Sequence, residues 1–200
     1  MIAIPRLYAI ADAGFGNPVE ISKALFDGGA RFVQIRNKNA AAGDLLAQVE
    51  AVLRLAPFDA TVLVNDRSDV ALLAKAAGVH LGQDDLPVTQ ARAILGEKAI
   101  IGFSTHNLEQ AVRADELPID YLAVGPIYRT STKQNPHPVV GLENLRQICR
   151  KVRKPVVAIG GITLERSAEV FETGAASVAV IGDLLRDDIT ARTRLWCVHG

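Results

Sequence analysis

The sequence predicts an α/β fold, a single-domain (β/α)8 TIM barrel spanning residues 1–200. Three observations predict it. Short runs rich in Val, Ile and Leu alternate with longer segments of helical period, the pattern of βα units around a parallel sheet. Eight such units follow one another, and no low-complexity linker interrupts them. A doubly wound open sheet is the rival architecture, and both place ligands at the C-terminal ends of the strands.

The first strand is expected at Arg6–Asp12, followed by a helix at Pro18–Asp27. Asn17-Pro18 opens that helix with an N-cap residue and a proline at its first position. The second unit pairs Arg31–Lys38 with Gly43–Leu55, the third Ala60–Asp66 with Ser68–Ala77, and the fourth Gly78–Gln83 with Val88–Leu95. Ala99–His106 and Leu108–Leu117 make the fifth, Asp120–Tyr128 and Leu142–Val152 the sixth, and Pro155–Ile162 and Leu164–Thr173 the seventh. Ser177–Asp183 is the eighth strand, with a weaker helix in the tail Leu184–Val198. Gly28-Gly29, Gly78 and Gly174 stand where helix C-caps are expected.

Composition narrows the function. At 200 residues the chain is long enough to bury a substantial core. Lys plus Arg number 22 and Asp plus Glu 22, so no long-range positive field favours nucleic acid or an anionic membrane. Neither a basic n-region with an apolar h-region nor a bilayer-length apolar run is present, and a cytoplasmic location is expected. Cys149 and Cys197 form no CxxC or Cys/His cluster, which argues against a zinc site or a disulfide framework. Cys149 reads as a core thiol. The expected partners are small molecules, and a homo-oligomer is left open.

The polar residues collect at the strand ends. Gln34, Arg36 and Lys38 alternate along the second strand and share a face, where two buried cations call for an anion such as phosphate. Asn65-Asp66 and Asp84-Asp85 end the next two strands. Each pair has a plain alternative as a helix cap. Together, however, they bring carboxylates beside the cations, an arrangement that needs a metal ion if phosphate also binds there. Hard oxygen ligands with phosphate suit Mg²⁺, so a magnesium diphosphate site is expected.

Gly160-Gly161 and Ile181-Gly182 end the last two strands, where backbone N–H groups form the common barrel phosphate site, although such glycines also serve tight turns. The longest connection, Tyr128–Val140, carries Thr130-Ser131-Thr132-Lys133 and is the candidate lid. His80 reads as a satisfied interior histidine before a catalytic one. His106 reads equally as a proton-transfer group or as a cap of the next helix. His137 and His199 read as solvated, and Trp196 as packing for the last helix.

These motifs closely resemble the thiamine-phosphate synthase family. The resemblance rests on Gln34 to Lys38, Asn65-Asp66-Arg67, His80 to Asp85, Gly102 to His106, Gly125 to Tyr128 with Thr130 to Lys133, and Ile159 to Ile162. It implies a barrel enzyme, a transferase, that joins 4-amino-2-methyl-5-hydroxymethylpyrimidine diphosphate to 4-methyl-5-(2-hydroxyethyl)thiazole phosphate and releases pyrophosphate. By position, the resemblance implies that Gln34, Ile35, Arg36, Asn37, Lys38, Asn65, Ser104 and Lys133 hold the pyrimidine diphosphate. It implies that Asp66 and Asp85 hold Mg²⁺, and that Thr130, Ser131, Thr132, Gly161, Ile181 and Gly182 hold the thiazole phosphate. Arg36, Lys38, Ser104 and Lys133 are the implied catalytic groups.

Three positions depart from the family's usual residues: Asn37 for Glu, Arg129 for Pro and Gly182 for Ser. Strand alternation turns Asn37 away from the site, whereas Gly182 forfeits a hydroxyl but keeps its main-chain N–H. Two other readings stand beside the synthase. One is the related thiazole tautomerase, with a histidine matching His106 implicated. The other is a non-catalytic regulator that binds thiamine metabolites.

Overall fold

The computed structural model describes residues 3–130, 138–185 and 188–200, and its eight parallel strands close into a barrel in chain order. The strands are β1 Leu7–Asp12, β2 Phe32–Arg36, β3 Thr61–Asn65, β4 Gly78–Leu81, β5 Ile100–Thr105, β6 Tyr121–Val124, β7 Val156–Ile159 and β8 Ser177–Val180. The helices are α1 Pro18–Asp27, α2 Ala42–Leu55, α3 Ser68–Ala74, α4 Val88–Leu95, α5 Leu108–Asp115, α6 Gly141–Lys151, α7 Leu164–Phe171 and α8 Ile189–His199. No helix among the described residues is long and apolar enough to cross a membrane.

Strand alternation divides the core in two. Leu7, Ala9 and Ala11 of β1, Val33 and Ile35 of β2, and their counterparts around the barrel pack outward against the helices. Tyr8, Ile10, Phe32, Leu63, Tyr121, Val157 and Ala179 fill the interior. The side chains of one strand reach opposite layers because its period is two. Tyr8 packs edge-on against Phe32, with ring centroids 4.8 Å apart.

Glycines decide where backbones and rings approach. Gly102 of β5 lies in register between His80 of β4 and Tyr121 of β6. A Cβ there would fall 2.0 Å from the Tyr121 ring, so the missing side chain makes room for that ring to stack on His80. A Cβ at Gly78 would lie 1.9 Å from the Ile100 carbonyl oxygen. Gly78 therefore serves close β4–β5 pairing and is not the expected helix cap. Lys75 takes that role with φ 57, ending α3 three residues before the expected Ala77.

Other ends also differ from expectation. β2 stops at Arg36, placing Lys38 in the turn beyond the strand. β6 stops at Val124 because Pro126 has no N–H with which to continue the ladder. The tail helix begins at Ile189, where Asp188 caps it by accepting from Ala191 N at 2.9 Å. A 3-10 turn at Ala13–Phe15, capped by Asp12, lies outside the expected elements. Asn17 and Pro18 open α1 as expected, and burial pushes the Cys149 thiol up.

Candidate active site

At the C-terminal end of the barrel, β1 and β2 supply an ion pair. Asp12 and Arg36 are register partners, and Arg36 Nη1 donates to Asp12 Oδ2 at 2.5 Å. Gly14 N donates to the other carboxylate oxygen at 2.8 Å. The expectation that the cations need an external anion is thus corrected: Arg36 already faces a carboxylate, and Lys38 Nζ lies 3.0 Å from Asp66 Oδ2. The guanidinium and ammonium each keep further N–H donors for a ligand. Gln34 lies deeper, almost wholly buried, with its amide donating to the Tyr8 hydroxyl.

The next two strands bring a pair of carboxylates together. Asp66 follows β3 in a left-handed backbone conformation, φ 63, with its N–H bonded to the His80 carbonyl at 2.8 Å. Asp85 folds back to accept from Gly82 N at 2.6 Å. Burial pushes the Asp85 carboxyl up, the Gly82 N–H opposes this, contact with Asp66 raises it further, and Lys38 pulls it down. Asp84, in contrast, is exposed. Two touching carboxylates, one of them disfavoured as an anion, form a hard-oxygen donor set that fits a divalent cation. No group of three or more His, Cys, Asp or Glu able to hold a metal gathers among the described residues, and the Asp66–Asp85 pair is the candidate metal site on the chemistry of its oxygen donors alone.

A chain of polar groups crosses the barrel floor. Tyr8 and Tyr121 hydroxyls are 2.9 Å apart, Tyr121 reaches His80 Nδ1 at 2.9 Å, and His80 Nε2 reaches Ser104 Oγ at 2.9 Å. Gln83 Nε2 donates to the Ser104 carbonyl at 2.5 Å. His106 Nδ1 meets the Gly125 carbonyl at 2.7 Å. A carbonyl only accepts, so Nδ1 carries the hydrogen of this bond. The cap of α5 is Asn107, accepting from Gln110 N at 2.8 Å, which removes the capping alternative for His106.

Across the mouth, Gly160 and Gly161 turn away from β7 with φ 103 and 66. A Cβ on Gly161 would lie 2.6 Å from the Arg129 carbonyl oxygen, so only glycine fits this turn without strain. Ile181 and Gly182 follow β8 and line the same cavity, with Thr130 at its edge. Asp183 fixes their loop from beneath. It accepts from Leu164 N at 3.2 Å, Trp196 Nε1 at 2.8 Å and Arg192 Nε at 3.1 Å. Nearby, Arg192 holds the Glu165 carboxyl down to about 2.

The structure gathers Gln34, Arg36, Lys38, Asn65, Asp66, Asp85, Ser104, Thr130, Gly161, Ile181 and Gly182 around one cavity. Asn37 is also at its edge, but its amide donates to Gln48 of α2 at 3.0 Å. Ile35 is fully buried in the outer layer. Ser131, Thr132, Lys133 and the rest of the candidate lid through His137 lie outside the described residues. Sequence reasoning missed Asp12, Tyr8, Tyr121 and Asp183. Their positions at strand ends or on interior faces are visible, but their partners follow only from barrel closure.

A closed parallel barrel with cations, paired carboxylates and glycine amides at one mouth defines a barrel enzyme for phosphorylated small molecules. Residues 7–184 match the family model described as thiamine monophosphate synthase. A thiamine-phosphate synthase of Koribacter versatilis is 46% identical over 193 residues, covering 93% of this chain and 92% of the relative. One from Albidiferax ferrireducens is 44% identical, covering 95% and 90%. The solved thiamine phosphate pyrophosphorylase from Pyrococcus furiosus superposes with a TM-score of 0.87 at 37% identity, covering 95% of this chain and 92% of that one. The chain belongs to the thiamine monophosphate synthase family.

Proposed function

We propose that the chain is a thiamine-phosphate synthase that joins the aminopyrimidine diphosphate to the thiazole phosphate, forming thiamine phosphate and pyrophosphate. The observation that carries this reading is the contact of Asp66 with Asp85 beside Lys38, across the same cavity from Gly161 and Gly182. One side suits a metal-bound diphosphate, the other a second phosphate held by main-chain N–H groups. The whole chain, residues 1–200, is read as one domain that works on small molecules in the cytoplasm.

Asp66 and Asp85 would hold Mg²⁺, which when bound supplies positive charge against the diphosphate. Arg36, Lys38 and Lys133 meet the leaving group as the CH₂–O bond breaks and negative charge gathers on pyrophosphate. They stabilise that anion more than the intact substrate. Asp12 holds the Arg36 guanidinium in place while this occurs. Gln34, Asn65 and Ser104 orient the pyrimidine, whose amino-substituted ring carries the positive charge left behind. Thr130, Ser131, Thr132, Gly161, Ile181 and Gly182 place the thiazole so that its nitrogen captures the carbon. No protein nucleophile is required, and the barrel contributes alignment and charge.

The test is to mix both substrates with Mg²⁺ and assay thiamine phosphate and pyrophosphate. Multiple turnovers that stop with EDTA are expected. Absence of product while both substrates bind overturns the reading and leaves a non-catalytic binder, whereas metal-independent isomerisation of a thiazole phosphate would favour the tautomerase.

A further inference from the structure

We infer that Gln34, Tyr8 and Tyr121 are positioning residues that fix one direction of hydrogen bonding through His80, so that Ser104 meets the pyrimidine substrate as a hydrogen-bond donor. The inference rests on the proposed synthase reading for the identity of that substrate. Its geometric part rests on five side chains drawn from β1, β2, β4, β5 and β6.

Each link has limited choices. Gln34 Nε2 can only donate, so the Tyr8 oxygen accepts at 2.5 Å. The Tyr8 hydrogen then points to the Tyr121 oxygen 2.9 Å away, and the Tyr121 hydrogen points to His80 Nδ1, also at 2.9 Å. Burial keeps both phenols protonated, which leaves each with one hydrogen to give. With Nδ1 accepting, the neutral His80 ring carries its hydrogen on Nε2 and donates to Ser104 Oγ at 2.9 Å. Ser104 receives one bond and has its own hydrogen for the cavity that it lines.

The opposite direction wastes a donor. Were Ser104 to donate to Nε2, His80 Nδ1–H would donate to Tyr121, and Tyr121 to Tyr8. The Tyr8 oxygen would then receive two hydrogens, and its own buried O–H would face donors on both of these sides. A lost hydrogen bond in a buried site is costly, so the chain runs from Gln34 to Ser104. The group facing Ser104 in the bound pyrimidine diphosphate must accordingly be an acceptor, such as a ring nitrogen, and not an amino group.

Nitrogen-15 NMR of the full-length protein reads this directly, with His80 assigned by comparison with His80→Gln. In the wild-type protein, Nε2 is expected protonated and Nδ1 bare; protonation of Nδ1 overturns the inference. Gln34→Glu keeps the shape but offers Tyr8 an acceptor. It is expected to move the His80 hydrogen to Nδ1, whereas a Gln34 that acted only by touching the pyrimidine would leave that hydrogen on Nε2. An unmoved His80 hydrogen counts against it. If the wild-type protein makes no thiamine phosphate, the synthase reading fails, while the nitrogen shifts still decide the direction of the chain.

Discussion

Asp12 and Arg36 face each other across the β1–β2 register, and their side chains meet at 2.5 Å at the inner rim of the barrel. The pair is mostly buried, so the Arg36 charge is balanced within the fold and Asp12 fixes the direction of its guanidinium. Asp12→Asn keeps the shape while removing the charge that aims it. Turnover is expected to fall about a hundredfold, the scale of a misplaced catalytic group. KM for the thiazole phosphate should stay within error in steady-state assays. A parallel loss for both substrates would mean that Asp12 supports the whole rim.

Lys38 and Asp66 act on the leaving group in the proposed mechanism. Lys38→Ala or Asp66→Ala should lower kcat by about a hundredfold or more. Thiazole-phosphate affinity, measured by direct titration, should change little. Comparable losses in affinity and turnover would assign these residues to the wrong substrate.

Gly102→Ala places a methyl group 2.0 Å from the Tyr121 ring in a filled interior. A stability loss of about 1–3 kcal/mol is expected in urea unfolding, because overpacking forces the ring or strand to move. An unchanged midpoint would show that the ring has space to retreat.

Asp115 provides an acid-sensitive joint between α5 and the start of β7. Burial alone would raise its carboxyl, but the N–H groups of Lys154 and Arg153 and the Arg153 guanidinium outweigh that and hold it below its usual value. A carboxyl lowered by folding adds stability above its unfolded pKa, and this is lost as pH falls through the folded value. Asp115→Asn should therefore be less stable than the wild type at pH 7, with the difference closing below about pH 4. A gap that persists at pH 2 would point to lost packing as the cause.

The sequence reveals the barrel because its strands must be apolar on both faces, and the eight runs mark their own positions. Their ends are harder to read. Lys38 continues the alternation of Gln34 and Arg36 in the sequence, yet β2 has already ended, and only the turn geometry brings it to Asp66. Asp85 is distinguished from Asp84 by a main-chain N–H from Gly82, a three-dimensional fact. Tyr8 and Tyr121 are 113 positions apart; only closure of the sheet joins them, and only the absent side chain of Gly102 lets Tyr121 lie beside His80.

Asp183 ties the loop bearing Ile181 and Gly182 to Leu164 at the start of α7 and to Arg192 and Trp196 in α8. On a ribosome, which issues the chain from its N-terminus, every strand emerges before this clasp can close. The loop proposed to hold the second phosphate thus takes its final form only when the last helix docks, and a nascent chain halted after β8 would have the barrel's walls but not this part of its mouth.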